Sequence, residues 1–178
     1  MRVGSNPLRN SEAPKHPPAE IPARPWLSPA VIEYLEAIIR PDWDILEHGC
    51  GGSTLWFAQR CKSVTAYESD PDFAAAIRGR APSNAKIVSW AKANAPTIKT
   101  RYDLLLIDGE PIETRGPWIT AALRLVKPGG VIVLDNYNRP EYEAQRRKLE
   151  DEILFREFKS GIGLYLNTEF FYTGGGIL

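Results

Sequence analysis

The sequence predicts an α/β fold: a doubly wound, mostly parallel seven-stranded sheet with a C-terminal antiparallel hairpin. Three observations predict it. Strand-length apolar runs alternate with helical patterns along most of the 178 residues. The first strand runs straight into a glycine-rich turn, Gly49, Gly51 and Gly52, which opens a helix. Two strand-like runs close the chain with no helix between them, which marks an antiparallel pair.

Residues 1–25 carry Pro14, Pro17, Pro18, Pro22 and Pro25 and almost no apolar side chains. They read as a Pro-rich tail, extended or draped on a domain spanning residues 26–178. A lid over an active site is the functional alternative for this tail. Ser28-Pro29 is a helix start, with a capping hydroxyl and then proline in the first turn. Val31, Ile32, Leu35, Ile38 and Ile39 form a helical apolar stripe that ends before Pro41. A short strand begins at Asp44. Ser53 can cap a helix running through Phe57 and Gln59, and Val64 to Tyr67 is the second strand.

Asp70 opens a helix over Pro71 to Arg78, and Lys86 to Ser89 is a third strand. Tyr102 to Asp108 is a continuous apolar run of the kind buried on both faces of a parallel sheet. Pro117 to Val126 reads as a helix, Lys127-Pro128-Gly129-Gly130 as a tight turn, and Val131 to Asp135 as the fifth strand. Arg139 to Glu152 is a charged helix with a solvated face. Ile153 to Phe158 and Thr168 to Thr173 are the closing pair, joined by a loop over Ser160 to Asn167.

The length suits one domain with a substantial core. Lys+Arg and Asp+Glu number 22 each. That balance gives no electrostatic case for nucleic acid or a membrane surface as a bulk partner. No run is long and apolar enough to span a bilayer, and the first residues lack a signal-peptide core. Cys50 and Cys61 cannot build a disulfide framework, so two free thiols in a reducing cytoplasm is the simpler reading.

A glycine turn between strand and helix lets a ligand approach the backbone and meet the helix N-terminus. Glu68 lies about twenty residues further on, at the tip of the second strand, where an acidic group hydrogen-bonds ribose hydroxyls in nucleotide-binding folds. An adenosine-type ligand between these strand ends is the first inference. A dinucleotide fingerprint wants G-x-G-x-x-G, and its last position falls on Thr54, neither Gly nor Ala. The pattern here is acidic-x-G-x-G: Glu47, Gly49, Gly51.

That pattern resembles motif I of the class I S-adenosylmethionine-dependent methyltransferases, (D/E)xGxGxG. Ser53 stands where that family often has its third glycine, with Gly52 just before it. Four stretches follow the family's order: EHGCGGST, AYESD, YDLLLIDGE and LRLVKPGGVIVLDN. The resemblance covers Leu27 to Thr173. It implies S-adenosyl-L-methionine as cofactor and methyl transfer to oxygen or nitrogen of a small molecule. It sets Glu47, Gly49, Cys50, Gly51, Ser53 and Thr54 around the methionine part, Glu68 on the ribose, and Ser69, Trp90 and Ala91 at the adenine. Asp108 would border the transferred methyl, with Asp135 beside it as the second candidate catalytic carboxylate.

Asp108, Asp135 and Asn136 are all oxygen donors, and Asp-Asn after the fifth strand resembles the Mg²⁺ site of catechol-type O-methyltransferases. That family has a lysine three residues after the first aspartate, where this chain has Pro111. A metal-free reaction is therefore the preferred reading and Mg²⁺ the alternative. Adjacent carboxylates repel, so a cation, a shared proton or a basic neighbour such as Arg115 or Arg139 must relieve them. Competing functions are a nucleotide-binding dehydrogenase, which Thr54 disfavours, and a non-catalytic cofactor-binding subunit, which the intact acidic residues disfavour.

Overall fold

The computed structural model describes residues 21–90, 95–152, 154–158 and 162–166. Helices α1 (Pro29–Ile38), α2 (Gly52–Ala58), α3 (Pro71–Arg78), α4 (Arg115–Leu125) and α5 (Glu143–Glu152) pack around strands β1 (Asp44–His48), β2 (Ser63–Glu68), β3 (Ala85–Ser89), β4 (Tyr102–Ile107) and β5 (Val126–Leu134). Strands β6 (Leu154–Phe158) and β7 (Ile162–Leu166) complete a sheet of order β3-β2-β1-β4-β5-β7-β6. The first five are parallel, while β7 runs antiparallel to both β5 and β6. From β1 the chain winds outward through β2 and β3, then returns to β4 on the other side. The reversal between β1 and β4 opens a crevice at their carboxyl ends, where such sheets bind ligands.

Both faces of the central strands are covered. Ile45, Leu104, Leu106, Val131 and Val133 pack against Val31 and Leu35 of α1 and Trp56 and Phe57 of α2. Leu46, Leu105, Ile107, Ile132 and Leu134 pack against Trp118, Ala122 and Leu125 of α4, with Tyr142 and Leu149. Two-sided burial explains why YDLLLID reads as a continuous apolar run.

Several local expectations change. Ser28 occupies the N-cap of α1 with extended backbone, but its hydroxyl makes no capping bond. The N-cap of α2 is Gly51 rather than Ser53, and the Gly51 N–H donates to the Thr54 hydroxyl at 3.0 Å. Asp70 caps α3 as its sequence suggests, accepting from Asp72 N and Phe73 N at 2.9 and 3.0 Å. Lys127 to Gly130 lie within β5. Tyr102 pairs with Val126 and Leu104 with Val131, so these four residues bulge out opposite Asp103. Gly129 supplies the positive φ of 78° that the bulge requires.

The second strand of the closing pair is Ile162–Leu166, inside the stretch read as a loop. The aromatic run drew the expectation toward Thr168 to Thr173, which lies outside the described residues. The observed placement shortens the connection to the few residues typical of hairpins. The end of the Pro-rich segment also packs. Ile21 is buried with Leu55, Ala66, Ala74, Ile77 and Ile87, and its carbonyl accepts from Arg80 Nη2 at 2.6 Å. Pro22 and Arg24 cross the start of α2 closely enough that a Cβ on Gly52 would stand 2.4 Å from both their carbonyl oxygens.

Candidate active site

The residue after each parallel strand continues the ladder by one step. Gly49 N–H donates to Tyr67 O at 2.8 Å, Asp108 N–H to His48 O at 3.0 Å, and Asp135 N–H to Ile107 O at 3.1 Å. The backbone therefore presents Gly49, Asp108 and Asp135 side by side along one rim. Gly49 has φ 94°, and a Cβ there would lie 2.9 Å from Gly109 Cα. Glycine at both places lets the β1 and β4 turns touch.

Glu68 closes the other side. It is buried at the end of β2, and its Oε2 accepts from the Cys50 N–H at 2.9 Å. Its Oε1 accepts from Asp70 N–H at 3.0 Å, and the Ser69 hydroxyl oxygen lies 3.3 Å from it. The carboxylate thus fastens the glycine turn to the tip of β2. The Ser69 hydroxyl gives its proton to the Glu110 carbonyl, which brings the segment after β4 across to β2. Trp90 follows β3, half-buried, with its ring edge-on to Tyr67 at 5.9 Å. Ala91 lies outside the described residues.

Successive residues of β1 face opposite sides of the sheet. Glu47, 1% exposed, lies on the α2 side, and neither of its oxygens has a hydrogen-bond partner among the described residues. Burial raises its carboxyl to about 7, against a smaller opposing pull from the Ser53 and Thr54 hydroxyls beside it. His48 lies on the α4 side, with its ring stacked on Trp118 at 4.8 Å. The Thr114 hydroxyl has one proton to give. It donates to Pro111 O at 2.7 Å, so His48 Nε2–H donates to the Thr114 oxygen at 2.9 Å, which assigns the tautomer. Burial, aided by the Arg115 charge, lowers this imidazole to about 3 and keeps it neutral. Cys50 is half-buried and unbridged, and burial with nearby carboxylates pushes its thiol far up, so it is no nucleophile.

Asp108 and Asp135 meet on one guanidinium. Arg115 Nη2 lies 3.1 Å from Asp108 Oδ1, and Nη1 lies 3.8 Å from Asp135 Oδ2. Of the two expected basic neighbours, Arg115 fills the role. Asn136, in the left-handed region at φ 53°, offers its Oδ1 to Nη1 at 3.4 Å. These three oxygen donors are the set read as a Mg²⁺ alternative, and all three converge on a fixed cation. A divalent ion among them would sit against the guanidinium charge, so the residues do not fit a metal. The sequence offered Arg115 only as one of two basic neighbours for these carboxylates, not as a residue of the site itself. The only signal was a single arginine just before the α4 pattern, with nothing to show that it points inward.

The residues around the glycine turn fit the implied adenosyl cofactor. Gly51 has extended backbone, and a Cβ there would meet nothing nearer than the Phe73 ring at 4.0 Å. The turn therefore has room for an added carbon at Gly51, above a buried carboxylate that lies beside the Ser53 and Thr54 hydroxyls and makes no hydrogen bond among the described residues.

Residues 46–137, just over half of the chain, match the family described as "Methyltransferase domain". Solved structures share the fold. A methyltransferase-like protein from Silicibacter pomeroyi aligns with TM-score 0.59 at 19% identity, over 84% of this chain and 90% of its own. An rRNA methylase from Streptococcus thermophilus aligns with TM-score 0.60 at 12% identity, over 77% and 93%. The N-methyltransferase NodS from Bradyrhizobium japonicum, solved with S-adenosyl-L-homocysteine, aligns with TM-score 0.55 at 17% identity, over 72% and 80%. No curated protein matches the chain. The matched family and the topology agree with the glycine turn and its acidic partners: the chain belongs to the methyltransferase-domain family and carries the fold of the class I S-adenosylmethionine-dependent methyltransferases.

Proposed function

We propose that this protein transfers a methyl group from S-adenosyl-L-methionine to an oxygen or nitrogen of a small molecule. The observation that carries the reading is Glu47, a buried carboxylate with no hydrogen-bond partner among the described residues, beneath a turn whose Gly51 leaves room at its Cβ position. An orphaned buried carboxylate is costly, and a cationic amino group satisfies it. Glu47 would hold the amino end of the cofactor, Glu68 the ribose hydroxyls, and the Gly49–Gly51 backbone the segment between. When bound, the cofactor supplies an electrophilic methyl group on a sulfonium.

The chain's own residues then have two tasks. Asp108, one-third exposed at the end of β4, orients the acceptor and takes its proton when it carries one. The segment from Glu110 to Trp118 and the Tyr137 to Tyr142 stretch border that position and select the acceptor. A small acceptor is favoured by the balanced charge, since nucleic-acid binding rests on a basic footprint. Two free thiols fit a reducing compartment such as the cytoplasm.

The test is transfer of labelled methyl from S-adenosylmethionine to pooled phenols, catechols, alcohols and amines, run beside ribosomal RNA. Label in a small molecule is expected. Label in RNA alone would overturn the acceptor class.

A further inference from the structure

We propose that Arg115 is the positioning residue of this active site, holding Asp108 as a fixed, anionic carboxylate toward the acceptor. The proposal rests on the reading of Asp108 as the group beside the transferred methyl. Arg115 is 1% exposed and spends its donors on one rim of the sheet. Nε–H donates to Gly109 O at 2.9 Å, and Nη1 donates to Asp135 O at 2.8 Å. Nη2 donates to Asp108 O at 3.0 Å, Asp108 Oδ1 at 3.1 Å and Glu110 Oε1 at 3.3 Å. The same guanidinium therefore fixes the Asp108 backbone and its side chain together. A planar fork can do this where an ammonium cannot.

Arg115 is itself seated. Thr114, the preceding residue, is held by His48 Nε2, and the His48 ring stacks on Trp118 one turn along α4. The chain of contacts runs from the end of β1, through Thr114 and Arg115, to the ends of β4 and β5. Exposure separates the two aspartates. The Asp135 side chain is 4% exposed, whereas that of Asp108 is 32% exposed. Glu110, 60% exposed, meets Arg115 through one carboxylate oxygen, whereas Asp108 is accessible and held at both its carbonyl and its Oδ1, which suits a group that must meet a diffusing acceptor in one orientation.

The test uses the full chain and two readouts. The first is the titration of the Asp108 side-chain carboxyl by carbon NMR without cofactor, with the signal assigned by its loss in Asp108→Asn. The second is kinetics. Arg115→Lys should move the Asp108 midpoint to higher pH and carry the acid limb of kcat with it. It should lower kcat about 100-fold while S-adenosylhomocysteine affinity stays within about threefold. Glu110→Gln keeps the buried pair and removes an exposed anion from the same Nη2, so it protects the test if Arg115→Lys fails to fold. It should move the Asp108 midpoint to lower pH. A wild-type protein that does not bind S-adenosylhomocysteine overturns both the functional reading and this role. A wild type that binds and turns over, with the Asp108 titration unmoved in whichever variants fold, overturns the Arg115 role alone. Equal loss of kcat and cofactor affinity in Arg115→Lys also overturns it.

Discussion

The backbone N–H of Cys50 donates to Glu68 Oε2 at 2.9 Å, across the gap between the first two strand ends. The residue expected to hold a ligand's ribose therefore also holds the turn that receives the rest of the ligand. Each carboxylate oxygen has more than one acceptor site, so the bonds to Cys50 and Asp70 leave room for ribose hydroxyls.

That double use predicts a stability cost for Glu68→Ala even without ligand. Two charge-assisted bonds disappear and their donors are left in a partly buried turn. Chemical denaturation should show a loss of about 2–4 kcal/mol. A loss below about 0.5 kcal/mol would mean that the turn keeps its shape without Glu68.

Glu47 and His48 predict an unusual pH profile. The Glu47 carboxyl is raised by burial to about 7, so its contribution is fully present below the ordinary carboxylate value and is lost as pH rises through 7. The His48 imidazole is lowered to about 3, so its contribution is present above its ordinary value of 6.5 and is lost as pH falls toward 3. Each changes stability by up to about 1.4 kcal/mol per pH unit, and between about pH 5 and 6 the two oppose each other. Glu47→Gln should unmask the histidine. Its stability should rise by roughly 1 kcal/mol per unit from pH 5 to 6 more steeply than wild type. Parallel profiles for the two proteins would contradict the burial of one or both groups.

The segment over α2 predicts a coupled effect. Gly52→Ala would place a methyl 2.4 Å from Pro22 O and Arg24 O, and should cost about 1–3 kcal/mol by displacing that segment. Ile21→Ala should cost about 2–4 kcal/mol, since Ile21 is buried against α2, α3 and β3. Deleting residues 1–23 should therefore lower the melting temperature. In a chain lacking residues 1–25, Gly52→Ala should become nearly neutral. An undiminished cost there would place the clash elsewhere.

Chelation is a simple check on the Asp108, Asp135 and Asn136 set. With Arg115 among these oxygens, methyl transfer should persist in EDTA. Loss in EDTA with recovery in Mg²⁺ would contradict this.

The parts legible in the sequence were those written in local pattern. The Asp44–His48 strand, the glycine turn, the Asp70 cap and the buried run at Tyr102–Ile107 each show in residue type and period alone. What escaped depends on pairing. The bulge at Lys127–Gly130 exists only relative to Asp103 on the neighbouring strand. The strand at Ile162–Leu166 competed with a more aromatic run downstream. Arg115 acquires its role only when adjacent strands bring Asp108 and Asp135 to one rim, and Ile21 only when its segment crosses α2. Sequence alone offered Arg115 and Arg139 equally as neighbours of the two aspartates, and a lone isoleucine carries no signal of what it will touch.

The most direct test of the central claim is calorimetric titration of S-adenosylhomocysteine into wild type, Glu68→Ala and Gly51→Val. A Cβ on the buried Gly51 would touch the Phe73 ring at 4.0 Å without overlap, so Gly51→Val should fold with a loss of about 1–3 kcal/mol. The account predicts binding by wild type, affinity at least about 100-fold weaker in Gly51→Val, and affinity about 30- to 1,000-fold weaker in Glu68→Ala. Wild-type affinity in a folded Gly51→Val protein would contradict the account, because the ligand would not then approach through that turn.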